Sequence, residues 1–326
     1  MPTGRQREFL TTSYLPHRET WAARCEMIDL DALTRPSLIR HLIRGARTHQ
    51  AVILDGSDGP RALYVELLAA IAIRRGLGGT ATPIVLKECQ WKLGGSRLDR
   101  LATRLGLRIL DGPKVAYCVL SDWERERFTK TWGIDPDRVF LTPYCYTLSE
   151  AELAVPTSTR GGIFAGGDSL RDYGPLLTVA PELDERVSLA TKTLNRPLPA
   201  NVTAEPASHK RFIELLCNAR IVVVPLTDRD DRTAGQQTYL NAMALGKPLI
   251  VTDSPGVREY VDAGRTGIII PPRDPQALRQ ALSWLLDPAN ATVIKRMTTE
   301  AAHTARTRFS PERFLQATLD VADRMA

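Results

Sequence analysis

The chain has 326 residues, more than one domain usually holds, so two domains of about 150 residues each are expected. Apolar residues make up 43% of the chain and charged residues 25%, which is the composition of an ordinary soluble globular protein. A net charge of +6 and an aromatic content of 6% are low for a nucleic-acid-binding protein, so no nucleic-acid partner is expected.

The predicted compartment follows from what the chain lacks. No apolar run reaches the roughly 18 residues of a membrane span, and the first 20 residues contain no apolar core of a signal peptide. The five cysteines are scattered and form no C-x-x-C pair, which fits a reducing compartment and argues against structural zinc. We therefore predict a cytoplasmic protein.

The N-terminal half predicts strands that alternate with helices. Residues 51–54 read as a strand, 63–73 as an apolar helix and 83–86 as a second strand, which is the pattern of a parallel sheet. Asp55 and Glu88 follow the two strands closely, so both are expected at the carboxyl edge of the sheet, where ligands bind. Each carboxylate is interpreted either as part of a binding site or as the cap of a neighbouring helix.

Residues 97–110 predict a basic amphipathic helix. Its arginines are spaced by three or four residues with apolar residues alongside, at Arg97, Arg100, Arg104, Arg108 and at Leu98, Leu101, Leu105, Ile109. With Trp91 and Lys92 just before it, such a helix suits the surface of an anionic membrane, which indicates a lipid-linked acceptor. The alternative is a solvated surface helix with its leucines in the core.

The C-terminal half follows a polar linker at 148–160 and opens with a strand at 162–166. Its clearest unit is a strand at 221–226, a polar loop, a helix at 236–245 and a strand at 248–252. Such a unit places the loop and the helix N-terminus at the carboxyl edge of a parallel sheet. The first helical turn has unpaired N–H groups, and Gly235 allows a ligand close to the main chain, so a phosphate fits there. A tight turn made for packing is the alternative.

This unit carries a resemblance to a known family. The chain resembles the donor-binding half of glycosyltransferase family 4 over 241–253, 256–261, Gly264, Thr266, Gly267 and 271–278. The resemblance implies an α/β protein of GT-B architecture, with two Rossmann-like domains whose parallel sheets face each other across a cleft. It places an acceptor domain at 1–150, a donor domain at 161–310 and a last helix at 311–326 that packs back on the first domain. The implied reaction moves a sugar from a nucleotide diphosphate sugar with retention of configuration and without a metal ion.

The resemblance also implies the residues of the donor site. Where the family holds the diphosphate with a Gly-Arg pair and a Lys-Gly pair, this chain has Gly166, Gly167, Ser169 and Arg171, and Lys192 follows the next strand. We assign Arg171 the main part in neutralising the leaving diphosphate, because an arginine binds a phosphate bidentately, through two parallel hydrogen bonds. A surface ion pair with Asp168 or Asp172 is the alternative. The main chain of Gly235, Gln236, Gln237 and Thr238 completes the predicted phosphate site.

The chain departs from the family at two positions. The family usually has glutamates for the donor sugar and the ribose where this chain has Thr233 and Asn241. Asn241 can still exchange hydrogen bonds with a ribose. Thr233 is a candidate catalytic residue together with Arg171 and Lys192, although it is shorter and cannot reach as a carboxylate would. Three interpretations stay open: the donor differs from the common ones, the loop 228–231 supplies the acid from a shifted register, or the protein is a catalytically inactive nucleotide-sugar-binding relative.

The acceptor side is predicted more broadly. In the implied architecture Asp55 and Glu88 are the candidate acceptor carboxylates, and the acceptor is a sugar, a metabolite or a lipid-linked molecule. No metal site is predicted, because the D-x-D pattern of another transferase fold occurs three times and identifies no single site.

Overall fold

The computed structural model describes residues 7–13, 19–29, 33–57, 65–76, 82–91, 96–228 and 232–326. The chain forms two compact units: Met1–Pro143 together with Glu312–Ala326, and Tyr144–Pro311. The division lies before the predicted linker at 148–160. In that segment Ser149 caps a short helix in a capping box with Glu152.

The first unit contains a six-stranded parallel sheet. Its strands, in chain order, are β1 Phe9–Thr11, β2 Cys25–Met27, β3 Ala51–Asp55, β4 Ile84–Lys87, β5 Val115–Val119 and β6 Val139–Leu141, and their order in the sheet is β2-β1-β3-β4-β5-β6. The helices are α1 Glu19–Arg24, α2 Arg35–Gly45, α3 Val65–Arg74, α4 Arg97–Leu110 and α5 Asp122–Trp132. Every residue of β5 is buried, as expected for a strand of a parallel sheet covered on both faces.

The second unit contains another six-stranded parallel sheet. Its strands are β7 Ile163–Gly166, β8 Val187–Ala190, β9 Val202–Glu205, β10 Ile221–Val224, β11 Leu249–Thr252 and β12 Ile268–Ile270, in the sheet order β12-β11-β10-β7-β8-β9. The helices are α6 Glu150–Leu153, α7 Gly174–Val179, α8 His209–Asn218, α9 Gln236–Ala244, α10 Val257–Tyr260, α11 Pro275–Leu286 and α12 Ala291–Arg308. The two faces of this sheet are covered by separate apolar clusters, which include α8 and α9 on one side and α7 and α11 on the other.

Helix α9 is the most enclosed helix near the predicted site. All its residues except Gln237 are buried, and it packs against β10, β11 and α12. Neighbouring elements thus contact this helix on nearly every face. Their packing positions the backbone at its N-terminus.

The last helix, α13 Pro311–Met325, belongs with the first unit from Glu312 onward. Asp323 forms an ion pair with Arg24, with 2.6 Å between the charged atoms. The Phe314 ring lies 5.2 Å from the ammonium of Lys87, which is buried at the end of β4. Among the described residues, none of the helices is both long and apolar enough to cross a bilayer.

Candidate functional site

The candidate site lies where β7, β10 and α9 meet. β7 and β10 are neighbours in the sheet, so the loops that follow them leave it side by side. Thr227 N donates to Leu170 O over 3.0 Å, and Arg171 forms an antiparallel bridge with Leu226. The loop after β7 is thus held against the loop that leads into α9.

Arg171 connects the two loops through its side chain. Its Nε donates to Gly166 O over 3.0 Å, Nη1 to Ser169 O over 2.7 Å, and Nη2 to Thr238 Oγ1 over 3.2 Å. A guanidinium has five N–H donors, so these bonds fix its plane and leave two donors for a ligand. The alternative of an ion pair with Asp168 or Asp172 is not observed among the described residues.

Two glycines make room for this arrangement. Gly167 has φ +111°, and a Cβ there would lie 2.8 Å from Nη2 of Arg171. A side chain at position 167, where the family has arginine, would therefore occupy the space that the Arg171 guanidinium fills. At Gly166 a Cβ would lie 2.4 Å from the Phe212 ring, so this position is closed to larger residues by packing.

The N-terminus of α9 supplies main-chain donors beside Arg171. Gly235 precedes the helix with φ +82°, and a Cβ there would lie 3.0 Å from Leu226. The N–H groups of Gln236, Gln237 and Thr238 form no hydrogen bond with the described part of the chain. Unpaired N–H groups and the positive end of the helix dipole suit an anion.

The side chains of this first turn have different surroundings. Thr233 is 1% exposed, and its Oγ1 accepts a hydrogen bond from Nε2 of the buried Gln236. Gln237 is exposed, whereas Thr238 is buried with its hydroxyl on Arg171. In this arrangement Thr233 holds the helix N-terminus together, and its hydroxyl already has a partner.

Lys192 and Asp168 extend the site toward β8. Asp168 Oδ1 accepts from Thr191 Oγ1 over 2.6 Å and from Lys192 N over 2.8 Å. Burial alone would raise the pKa of Asp168, but these hydrogen bonds and the charges of Lys192 and Arg171 hold it below its usual range. Asp168 thus carries a negative charge between two cations, and the Lys192 side chain remains exposed.

Arg232 is a site residue that the sequence reasoning missed. Its Nη2 donates to the Ser169 hydroxyl, which connects the loop before α9 with the loop after β7. Burial lowers the pKa of Arg171, and the positive charge of Arg232 acts in the same direction, so the two guanidinium groups influence each other. In the sequence, the only sign of this contact is that Arg232 is the last cation of the polar loop before Gly235.

Asn241 has partners other than a ligand. Its side chain is fully buried, Oδ1 accepts from Thr147 N over 2.8 Å, and Nδ2 donates to Thr147 Oγ1 over 3.1 Å. A contact between Asn241 and a ribose would require at least one of these bonds to break. In the structure Asn241 fastens the segment around Thr147 to α9.

Replacing Asn241 with alanine is expected to lower the free energy of unfolding by about 2 kcal/mol, because the partly buried Thr147 loses two hydrogen-bond partners. Urea denaturation measures this change. The matched control is Asn195→Ala at an exposed position, where a change within about 0.5 kcal/mol is expected. Equal stability of the two variants would contradict the fastening role.

The candidate acceptor carboxylates lie at the carboxyl ends of two adjacent strands of the first unit, Asp55 as the last residue of β3 and Glu88 directly after β4. Asp55 Oδ1 accepts from Ser57 N over 2.9 Å, in a turn at the end of β3. Glu88 pairs with the ammonium of Lys87 and has φ +58°, which is unusual for a residue other than glycine. Among the described contacts neither carboxylate caps a helix, so both remain candidates for a binding site at the carboxyl edge of this sheet.

The loop 228–231 was predicted as an alternative source of the catalytic acid, and the structure describes only its first residue. Asp228 pairs with Arg273 over 2.5 Å, and Arg229, Asp230 and Asp231 lie outside the described residues. Within the described ranges no group of three His, Cys, Asp or Glu side chains is placed to hold a metal ion.

Part of the chain matches a family model of known proteins. Residues 179–288, which include β8 to β12 and α9, match the family model of the Glycosyl transferases group 1. No curated protein matches the chain in sequence at a significant level.

Solved structures match over nearly the whole chain. A glycosyltransferase from Rickettsia africae ESF-5 is 14% identical with a TM-score of 0.64, covering 98% of this chain and 90% of its own. HepE from Anabaena, solved with UDP, is 13% identical with a TM-score of 0.67, covering 98% and 99%. Sucrose-phosphate synthase from Thermosynechococcus elongatus is 14% identical with a TM-score of 0.61, covering 93% and 84%. The predicted fold class is thereby confirmed: the two six-stranded parallel sheets with their helices are those of a GT-B glycosyltransferase fold.

Proposed function

We propose that this protein is a glycosyltransferase that uses a nucleotide diphosphate sugar and binds its diphosphate at Arg171 and the N-terminus of α9. The observation that carries this proposal is the half-buried Arg171 guanidinium, fixed by three hydrogen bonds beside three main-chain N–H groups that have no partner among the described residues. Such a set of donors matches the oxygens of a diphosphate. The match of residues 179–288 to a glycosyltransferase family supports it.

The proposed chemistry is stabilisation of the leaving group. The bond between the sugar C1 and the β-phosphate oxygen breaks, a bond from the acceptor oxygen to C1 forms, and the acceptor proton passes to the departing phosphate. The negative charge that develops on the departing phosphate is stabilised by Arg171, Lys192 and the N–H groups of α9. Transfer with retention and without a metal ion, as in the family that the chain resembles, is part of the proposal.

A second candidate function has an observation in its favour. At the two positions where the resembled family has glutamates, Thr233 is bonded to Gln236 and Asn241 to Thr147, and neither carries a charge. A catalytically inactive protein that binds a nucleotide sugar would have the same diphosphate site. Consumption of the donor with mixed acceptors supports the enzyme, and saturable binding without consumption supports the inactive protein.

The first test is thermal unfolding with UDP, GDP, ADP, dTDP and their sugar conjugates. UDP leads the series because HepE has been solved with UDP and with UDP-glucose. A ligand at one hundred times its dissociation constant stabilises the native state by about 2.7 kcal/mol, which raises the melting temperature by several degrees. One nucleotide is expected to give this shift. Unchanged melting with every compound would remove the donor site from the proposal.

The acceptor is proposed by class only. Asp55 and Glu88 suit a sugar, a small metabolite or a lipid-linked molecule that offers a hydroxyl group. Once the nucleotide is identified, candidate acceptors of each class are added in turn, and consumption of the donor shows which class is used.

A further inference from the structure

Helix α4 presents an exposed apolar stripe. Leu98, Leu101 and Leu105 are 77%, 65% and 58% exposed, more than any other large apolar residue in the described part of the chain. The alternative in which the leucines of this helix fill the core therefore fails for these three. The helix is attached instead through Leu107 and Leu110, which are 4% and 0% exposed.

The same helix presents a basic stripe beside the leucines. With about 100° of rotation per residue, its four arginines fall within an arc of about 80°, and the exposed leucines occupy the next 60° or so. These exposed arginines are Arg97, Arg100, Arg104 and Arg108, whereas Asp99 is the one acidic residue of the helix sequence. The outward side of α4 is thus an apolar stripe flanked on one side by positive charge.

Trp91 is not part of this surface. Its ring is 7% exposed and packs against Tyr117, Phe128 and Trp132, and its Nε1 donates to Gly56 O over 2.5 Å. The expectation that Trp91 adds to a membrane-facing helix is therefore wrong, and Lys92 lies outside the described residues.

We propose that α4 lies flat on a membrane surface rich in anionic lipid, with Leu98, Leu101 and Leu105 inserted among the acyl chains and the arginines on lipid phosphates. A helix of 14 residues is about 21 Å long, enough for contact in the membrane plane and too short to span a bilayer. The long arginine side chains reach headgroup phosphates while the leucines enter the apolar layer.

Charge favours a membrane over a second copy of the chain. In a symmetric dimer whose two copies of α4 pack antiparallel through the leucines, the arginines of one copy would lie close to the same arginines of the other, and like charges repel. Lipid phosphates instead have the opposite charge to the arginine stripe. The inference is independent of which nucleotide the donor site takes.

The test is sedimentation of the full chain with lipid vesicles. Binding is expected to vesicles of phosphatidylcholine with about one third phosphatidylglycerol, to weaken strongly without the anionic lipid, and to fall as added salt screens the charges. Absence of binding to the anionic vesicles would overturn the proposal.

Variants assign any binding to α4. Arg104→Gln with Arg108→Gln is expected to weaken partitioning on the order of 25-fold, at about fivefold for each arginine. Leu101→Ser with Leu105→Ser is expected to weaken it at least about tenfold. Val293→Ser and Arg296→Gln, at exposed positions on α12, are matched controls expected to bind as the unchanged protein does.

Two further results would count against the proposal. Full binding by both α4 variants would place the membrane contact elsewhere. Self-association in the absence of lipid, measured by sedimentation velocity and abolished by the two serine changes, would show that α4 joins copies of the chain. Unchanged melting of the variants shows that the exposed substitutions leave the fold intact.

Discussion

Replacement of Arg171 by alanine is expected to lower the rate of sugar transfer by about a hundredfold or more, the scale on which a site loses one fixed donor to a developing negative charge. Three hydrogen bonds hold the Arg171 guanidinium before any ligand arrives, so little reorganisation is needed when the phosphate departs. The measurement is donor consumption in the presence of acceptor, together with the affinity for the nucleotide. A fall in turnover larger than the fall in affinity identifies an interaction that strengthens in the transition state.

Arg171→Lys separates charge from shape in this experiment. A lysine keeps the positive charge but cannot reproduce the bonds to Gly166 O, Ser169 O and Thr238 Oγ1, so an intermediate rate is expected. Melting temperatures of both variants control for damage to the loop after β7. Unchanged turnover in a folded Arg171→Ala protein would remove Arg171 from the mechanism.

Replacement of Lys247 by methionine is expected to lower the free energy of unfolding by about 3 kcal/mol, because three main-chain acceptors lose their donor. Lys247 is 3% exposed, and its Nζ donates to Ser158 O, Cys217 O and Ala219 O over 2.8, 2.5 and 2.9 Å. Burial disfavours the ammonium and lowers the pKa of Lys247 to about 8, and the three carbonyl oxygens supply the hydrogen bonds that the buried ammonium needs.

Methionine has a similar length to lysine, so the change tests hydrogen bonds more than packing. Urea denaturation of the two proteins gives the difference in free energy. Lys295→Met, at an exposed position on α12, is the matched control and is expected to change stability by less than about 0.5 kcal/mol. A loss below about 1 kcal/mol for Lys247→Met would mean that water or other groups satisfy the three carbonyls.

The strands were predictable where both faces of a sheet are covered. Ile221–Val224 is apolar at every position because no face of β10 meets water, and this pattern stands out in the sequence. β1 Phe9–Thr11 was not predicted, because three residues are too few to show a period. A strand of that length is recognised only from its neighbours in the sheet.

The orientation of α4 could not be predicted for a different reason. Its sequence contains two apolar stripes, one with Leu101 and Leu105 and one with Leu107 and Leu110, and either could face the core. Packing against α3, where Arg74 donates to Ile109 O over 2.6 Å, decides between them. Helical periodicity identifies faces but does not say which neighbour covers them.

The candidate site shows the same limit. The position of Arg171 followed from a family resemblance, but its carbonyl partners depend on how two loops meet at the sheet edge. The contact between Arg232 and Ser169 joins residues that are far apart in the sequence and follow different strands. Thr233 and Asn241 were noticed as departures, whereas their partners Gln236 and Thr147 became apparent only in the fold.

The return of α13 to the first unit sets an order for folding during synthesis. Residues Tyr144–Pro311 form one continuous unit, which can fold once it has left the ribosome. The first unit contains its own strands early but needs Phe314, Leu315 and Leu319, which are at most 5% exposed in α13. The first unit is therefore completed only after the second unit has been made, and until residues 312–326 emerge the apolar surface that α13 covers stays exposed.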